Sequence, residues 1–154
     1  VRLTLKPLAV LTALAALAAL GVAYFVQDVL VIAPCPLCLL ERWPYRVVIA
    51  LGVLGFLMPA LAARVTLAIA VLVLLAGAGI AFVHVGVEFH WWPSPLPECN
   101  AVFTPGAPLP LTPAKPCDDP TFLIPGLPVS MAAMNMLYAL AFALALSVYI
   151  WRVR

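Results

Sequence analysis

The stretch VTLAIAVLVLLAGAGIAFVHVGV, Val65 to Val87, contains no charged side chain. A helix of that length crosses a hydrocarbon core of ~30 Å, and a helix closes its own backbone hydrogen bonds where no water is available. Three other uncharged runs repeat the pattern: Leu8 to Val26, Val47 to Ala63 and Leu127 to Trp151. Across all 154 residues, 66% are hydrophobic and 9% charged, whereas soluble domains average about 45–50% apolar and about 25% charged. The sequence thus predicts an all-α membrane protein, a four-transmembrane-helix bundle in a single integral domain. The predicted spans are about 8–26, 43–63, 65–87 and 128–151.

Arg2 and Lys6 ahead of the first run resemble the start of a secretory signal. The run exceeds the ~7–15 apolar residues of a signal core, so it reads as a retained span. Four spans return the chain to its starting side. That side then collects Arg2, Lys6, Arg64, Arg152 and Arg154 with no acidic residue. The positive-inside rule makes it cytoplasmic, with both termini there. Asp28, Glu41, Glu88, Glu98, Asp118 and Asp119 fall outside or at the outer interface, together with Cys35, Cys38, Cys99 and Cys117. Disulfides persist in extracytoplasmic compartments, so two bridges are chemically permitted. Four cysteines allow three pairings, and spacing does not choose among them.

The segment from 92 to 127 differs in kind. Trp92 to Pro128 contains eleven of the sixteen prolines and no helical or alternating periodicity. It reads as a long, extended proline-rich loop on the extracytoplasmic side. A bridge between its two cysteines, Cys99 and Cys117, would alone act as a clasp worth roughly 3 kcal/mol in the chain-entropy model.

The other cysteine pair sits in PCPLCLLERWPYR, Pro34 to Arg46. Pro36 suits the first turn of a helix, because its missing amide hydrogen would be unpaired there anyway. A helix start and nearby cations favour a thiolate at Cys35 or Cys38. In a continuous helix Cys38, Arg42 and Arg46 share a face, although Pro44 deletes the bond to the Leu40 carbonyl. Zinc would require further ligands from Cys99, Cys117, His84 or His90. A structural bridge over two residues closes too small a loop to stabilise much. Repeated oxidation and reduction is the reading that suits the pair best. Arg42 then stabilises the Cys38 thiolate and hydrogen-bonds a carbonyl of a lipid-soluble acceptor; on the simpler alternative Arg42 and Arg46 snorkel to headgroups. Glu41 either pairs with an arginine or faces solvent.

These residues carry a family likeness. PCPLCLLERWPYR, the WWPSP segment before Cys99, and CDDPTFLIPGLPVSMAAMN from Cys117 into the last span resemble the bacterial disulfide-bond formation protein B (DsbB-like) family. The resemblance implies a thiol:quinone oxidoreductase of the bacterial cell inner membrane. Such an enzyme reoxidises a periplasmic DsbA-like thioredoxin-fold protein and passes electrons to ubiquinone or menaquinone. It further implies that Cys99 is attacked by the partner, Cys117 relays to Cys35, Cys38 faces the quinone, and Arg42 assists quinone binding. His84 and Glu88, four residues apart, are candidates for quinone donor and proton relay. Their plainer alternative is an interfacial anchor with His90, Trp91 and Trp92. Asn135 is expected to make an interhelical hydrogen bond, and Gly77 and Gly79 to permit close helix packing.

Two other classes compete. One is a non-enzymatic membrane scaffold with structural disulfides. The other is a vitamin K epoxide reductase-like quinone enzyme, whose Cys-x-x-Cys would be expected near the last span. Nothing in the sequence points to a metal, a haem or nucleic acid, and the spans offer too few polar residues for a transport path.

Overall fold

The computed structural model describes residues 5–100 and 115–153. The loop stretch 101–114 and the cations Arg2 and Arg154 lie outside them. The described residues form α1 (Leu5–Asp28), α2 (Pro36–Leu40), α3 (Arg42–Leu57), α4 (Ala60–Glu88) and α5 (Met131–Arg152), with a short 3-10 turn at Pro97–Asn100. No strand occurs among them; one isolated bridge joins Phe122 to Ser130. Helices α1, α4 and α5 are long and apolar enough to cross a membrane.

Small residues set the spacing of the helices. Ala9, Ala16 and Leu20 of α1, Ala63, Leu67, Ala70 and Leu74 of α4, and Ala143 and Leu146 of α5 recur at helical intervals and form one core with Tyr45 and Val48. With lipid on the outside, close van der Waals packing of such residues is what holds helices together. At Gly52 a Cβ would lie 2.9 Å from the Ala9 carbonyl oxygen and from Ala13, so α1 and α3 touch backbone to backbone. Gly77 similarly admits Pro44 of α3, with 3.0 Å from its would-be Cβ to the proline ring. Gly79, expected to serve the same purpose, has nothing within 4 Å and faces open space. Large apolar side chains such as Leu11, Leu17, Leu61, Leu72, Leu144 and Trp151 point outward. Hydroxyls inside the helices bond their own backbone: Thr12 donates to the Leu8 carbonyl and Ser147 to the Ala143 carbonyl.

Two helix boundaries follow from proline. Uncharged runs set the turn between the second and third helices at Arg64, but α3 ends at Leu57 and α4 begins after Pro59, its N-cap. Pro59 cannot extend α3, whereas Arg64 remains in the helix and donates to the Val153 carbonyl. The helix that starts at Pro36 is interrupted at Glu41, three residues before Pro44; Glu41 closes α2 and opens α3 in helical geometry.

α1 packs along α3, α3 along α4 and α4 along α5, while α1 and α5 meet only lightly. The Tyr138 hydroxyl donates to the Ala15 carbonyl across this weak seam. Lys6 lies over the Phe56 ring and Arg64 reaches Val153, so these cations gather at one end of the molecule. All four cysteines lie at the other.

Candidate functional site

Cys35 is the N-cap of α2, with Pro36 in the first turn behind it. Its Sγ accepts from the Cys38 amide at 3.1 Å, using one of the helix-start donors that otherwise have no partner. The cysteines are joined in two disulfides, Cys35–Cys38 and Cys99–Cys117, with Cα separations of 5.1 and 5.3 Å.

The two bridges share one apolar cluster. Cys35, Leu37, Val87 and Cys117 are buried in it, and Cys38, Trp92, Leu96 and Cys99 pack against it. Each bridge joins a buried cysteine to a half-buried one: Cys35 is 2% and Cys117 1% exposed, whereas Cys38 and Cys99 are half-buried. The Trp92 ring lies on Gly86, where any Cβ would collide with it, and its Nε1 donates to the Val83 carbonyl. This fixes the start of the loop against α4.

After Cys117 the chain returns to α5 as a strap. Ile124 to Leu127 make a turn closed by the Leu127 amide on the Ile124 carbonyl. Pro125 fits its second position and Gly126, at φ 85°, the left-handed third. The Met131 amide bonds the Thr121 carbonyl, and Ser130 caps α5 through the Ala133 amide.

Beneath the strap lies a cavity of about 350 Å³ between α1 and α5. Its lining is mostly apolar, with Cys35, Cys38, Arg42, His84, Glu88 and Asn135 among its polar members. Arg42 is 6% exposed. Its Nη1 donates to Gln27 at 2.8 Å, its guanidinium lies over the Tyr24 ring, and its Nε is buried with no partner. Arg46 is exposed and donates to the Tyr24 hydroxyl. Glu88 accepts from the Ser130 hydroxyl. A smaller cavity of about 110 Å³ adjoins Cys99 and Cys117 and is lined by His90, Trp92 and Asp118.

His84 has both ring nitrogens engaged. Nε2 is 3.5 Å from Cys35 Sγ, and Nδ1 is 2.6 Å from Glu41 Oε1. The other Glu41 oxygen accepts from Asn135 Nδ2 at 2.6 Å, and Asn135 Oδ1 accepts from the Tyr45 hydroxyl at 2.6 Å. The expected interhelical bond of Asn135 is therefore present, with Glu41 as its partner. Glu41 pairs with neither arginine and does not face solvent, being 7% exposed. Tyr45 and Gln27 escaped the sequence reading; a polar residue beside an apolar run was the one available signal.

The family profile described as "Disulfide bond formation protein DsbB" matches residues 5–149. Disulfide bond formation protein B of Herminiimonas arsenicoxydans is 34% identical over 85 residues, 55% of this chain and 54% of that protein. Disulfide bond formation protein B 1 of Pseudomonas fluorescens is 36% identical over 85 residues, 53% of this chain and 48% of that protein. The chain spans about half the length of these curated relatives. No solved structure matches it. A match over nearly the whole chain, with paired cysteines packed together at one end of a helical bundle, places this protein in the DsbB family of disulfide bond formation proteins.

Proposed function

We propose that the chain is a membrane thiol:quinone oxidoreductase that reoxidises a DsbA-like thioredoxin-fold dithiol protein. The observation that carries this reading is that two bridges, each of one buried and one half-buried cysteine, share one cluster. Half-buried Cys38 lines the large cavity and half-buried Cys99 the smaller one, and buried Cys35 and Cys117 belong to the cluster that joins the two bridges.

Electrons move by thiol–disulfide exchange. A thiolate of the partner attacks Cys99 Sγ, the Cys99–Cys117 bond breaks, and Cys117 leaves with the electron pair. The partner's second thiolate then resolves the mixed disulfide, leaving the loop pair reduced and the partner oxidised. Cys117 attacks Cys35, expelling Cys38 as thiolate; Cys99 then attacks Cys117 and releases Cys35. The loop disulfide is restored, and the electrons reside on Cys35 and Cys38.

The large cavity suits a quinone head group. Its volume lies in the range of small-molecule sites, its walls are mostly apolar, and Arg42 Nε is a buried donor without an acceptor. When bound, a quinone such as ubiquinone or menaquinone accepts two electrons and two protons. Cys38, Arg42 and Glu88 would border it, with His84 in the wall. Arg42 would donate to a carbonyl oxygen and offset negative charge near Cys38.

In this reading α2 and α3 form one broken span, completing four. The loop from 92 to 127 and the cysteines face the bacterial periplasm, and both termini face the cytoplasm. The testing experiment is optical measurement of quinone reduction by purified protein in detergent, with a reduced thioredoxin-fold donor. Quinone reduction that disappears in Cys38→Ser supports the reading. Quinone that stays oxidised with a competent donor and intact cysteines overturns it in favour of a stapled scaffold.

A further inference from the structure

The buried line Cys35, His84, Glu41, Asn135, Tyr45 joins the break between α2 and α3 to α4 and α5. Its order has chemical consequences. With a carboxylate on Nδ1, the proton that His84 exchanges is the one on Nε2, which faces Cys35 Sγ; the Cys117 backbone also lies within hydrogen-bond reach of the ring. A sulfur, a base and a group that orients the base are thus set in sequence, as an activated thiol requires. Asn135 supplies the second bond to the Glu41 carboxylate, and Tyr45 in turn holds the Asn135 amide.

We propose that His84 is the acid–base group of the Cys35 sulfur, and that Glu41, fixed by Asn135 and Tyr45, is its positioning residue. The inference deepens the thiol:quinone reading and rests on it for the fate of the electrons, but its step takes place between the two cysteine pairs. The loop pair starts as two thiols and ends as a disulfide, releasing two electrons and two protons. The electrons break the Cys35–Cys38 bond. One proton passes through His84 Nε2 to Cys35 as that sulfur leaves Cys117; the other goes to water, and Cys38 stays a thiolate. As the Cys35–Cys38 bond re-forms, His84 takes the Cys35 proton back; a bound quinone would accept the electron pair with two protons, one relayed from His84 and one from water. A thiolate at 2% exposure would otherwise be left buried without a proton.

The test needs no quinone. Quinone-free protein in detergent receives electrons from the reduced partner, is quenched with acid and alkylated, and the growth of the Cys35–Cys38 dithiol is timed across pH. The titratable groups that border His84 are Glu41 and Glu88, and Arg42, Lys115 and Asp119 complete the charged lining of the cavity. His84→Gln is expected to slow transfer from the loop pair about 100-fold and flatten the pH profile. Glu41→Gln keeps the imidazole and is expected to slow transfer about tenfold with a displaced midpoint, which a merely structural role would not produce. Should Glu41→Gln fail to fold, Asn135→Ala is expected to show the same displacement with a smaller loss of rate.

Wild-type transfer rate and pH profile in His84→Gln, with weakened quinone affinity, would overturn the proposal and assign His84 to the quinone. Absence of loop-to-Cys35 transfer in the wild type would overturn it as well. Normal, histidine-dependent transfer without any quinone reduction would sink the thiol:quinone reading and leave the relay standing.

Discussion

Glu41 accepts from Asn135 and faces His84 with its two oxygens, deep under the strap. Removing one partner of a buried carboxylate leaves an acceptor unsatisfied, at a cost of about 1–3 kcal/mol. Asn135→Leu is therefore expected to lower the thermal midpoint in detergent by several degrees, and an unchanged midpoint would mean that water satisfies the freed oxygen. Arg42 calls for a different readout, because its Nε is buried without a partner and, on the proposed function, would serve a bound acceptor. Charge-assisted hydrogen bonds are worth about 1.5–3 kcal/mol, so Arg42→Met is expected to raise the quinone KM about 10- to 100-fold. A KM within twofold of wild type would remove Arg42 from the quinone site. The grouping of Cys35, Cys38 and Arg42 was legible in the sequence because the three lie within two helical turns. The partners of Glu41 were not, since they stand 43 and 94 residues away and meet only after α4 and α5 dock.

Helices find one another here through absent side chains. Gly52 brings α3 against the backbone of α1, and a methyl there would sit 2.9 Å from Ala9 and Ala13 atoms. Overpacking of this kind costs about 1–3 kcal/mol. Gly52→Ala is expected to lower the midpoint of thermal unfolding, whereas Gly79→Ala, with nothing within 4 Å, is expected to match the parent. Equal behaviour of the two variants would refute the close α1–α3 contact. The sequence reading named Gly77 and Gly79 as spacers without telling them apart, and it passed over Gly52, because helical phase becomes meaningful only relative to a neighbour. It missed the boundary at Met58–Pro59 for another reason: hydropathy registers charge, while a helix end registers the loss of an amide hydrogen. The break at Glu41 combines both effects. Pro44 takes a bond from the Leu40 carbonyl, and the turn so loosened points a carboxylate inward at His84.

At the scale of the molecule, charge and sulfur are segregated along the bundle. Lys6 and Arg64 lie at one end, and the disulfide cluster, the strap and the aromatic group of Phe82, Phe89, Trp91 and Trp92 at the other. Lys and Arg are retained on the cytoplasmic side, and tryptophans gather at headgroup level. The two ends of α4 report the orientation directly, because Leu61 is 79% and Trp91 59% exposed and neither takes part in the cysteine cluster. In a background without native cysteines, Trp91→Cys is expected to react with a membrane-impermeant maleimide on intact spheroplasts. Leu61→Cys is expected to react only after the membrane is permeabilised. The reverse pattern would turn the protein over and put its disulfides in a reducing compartment, where a dithiol carrier would have no periplasmic role. Labelling of both positions from outside would instead mean that α4 does not cross the membrane.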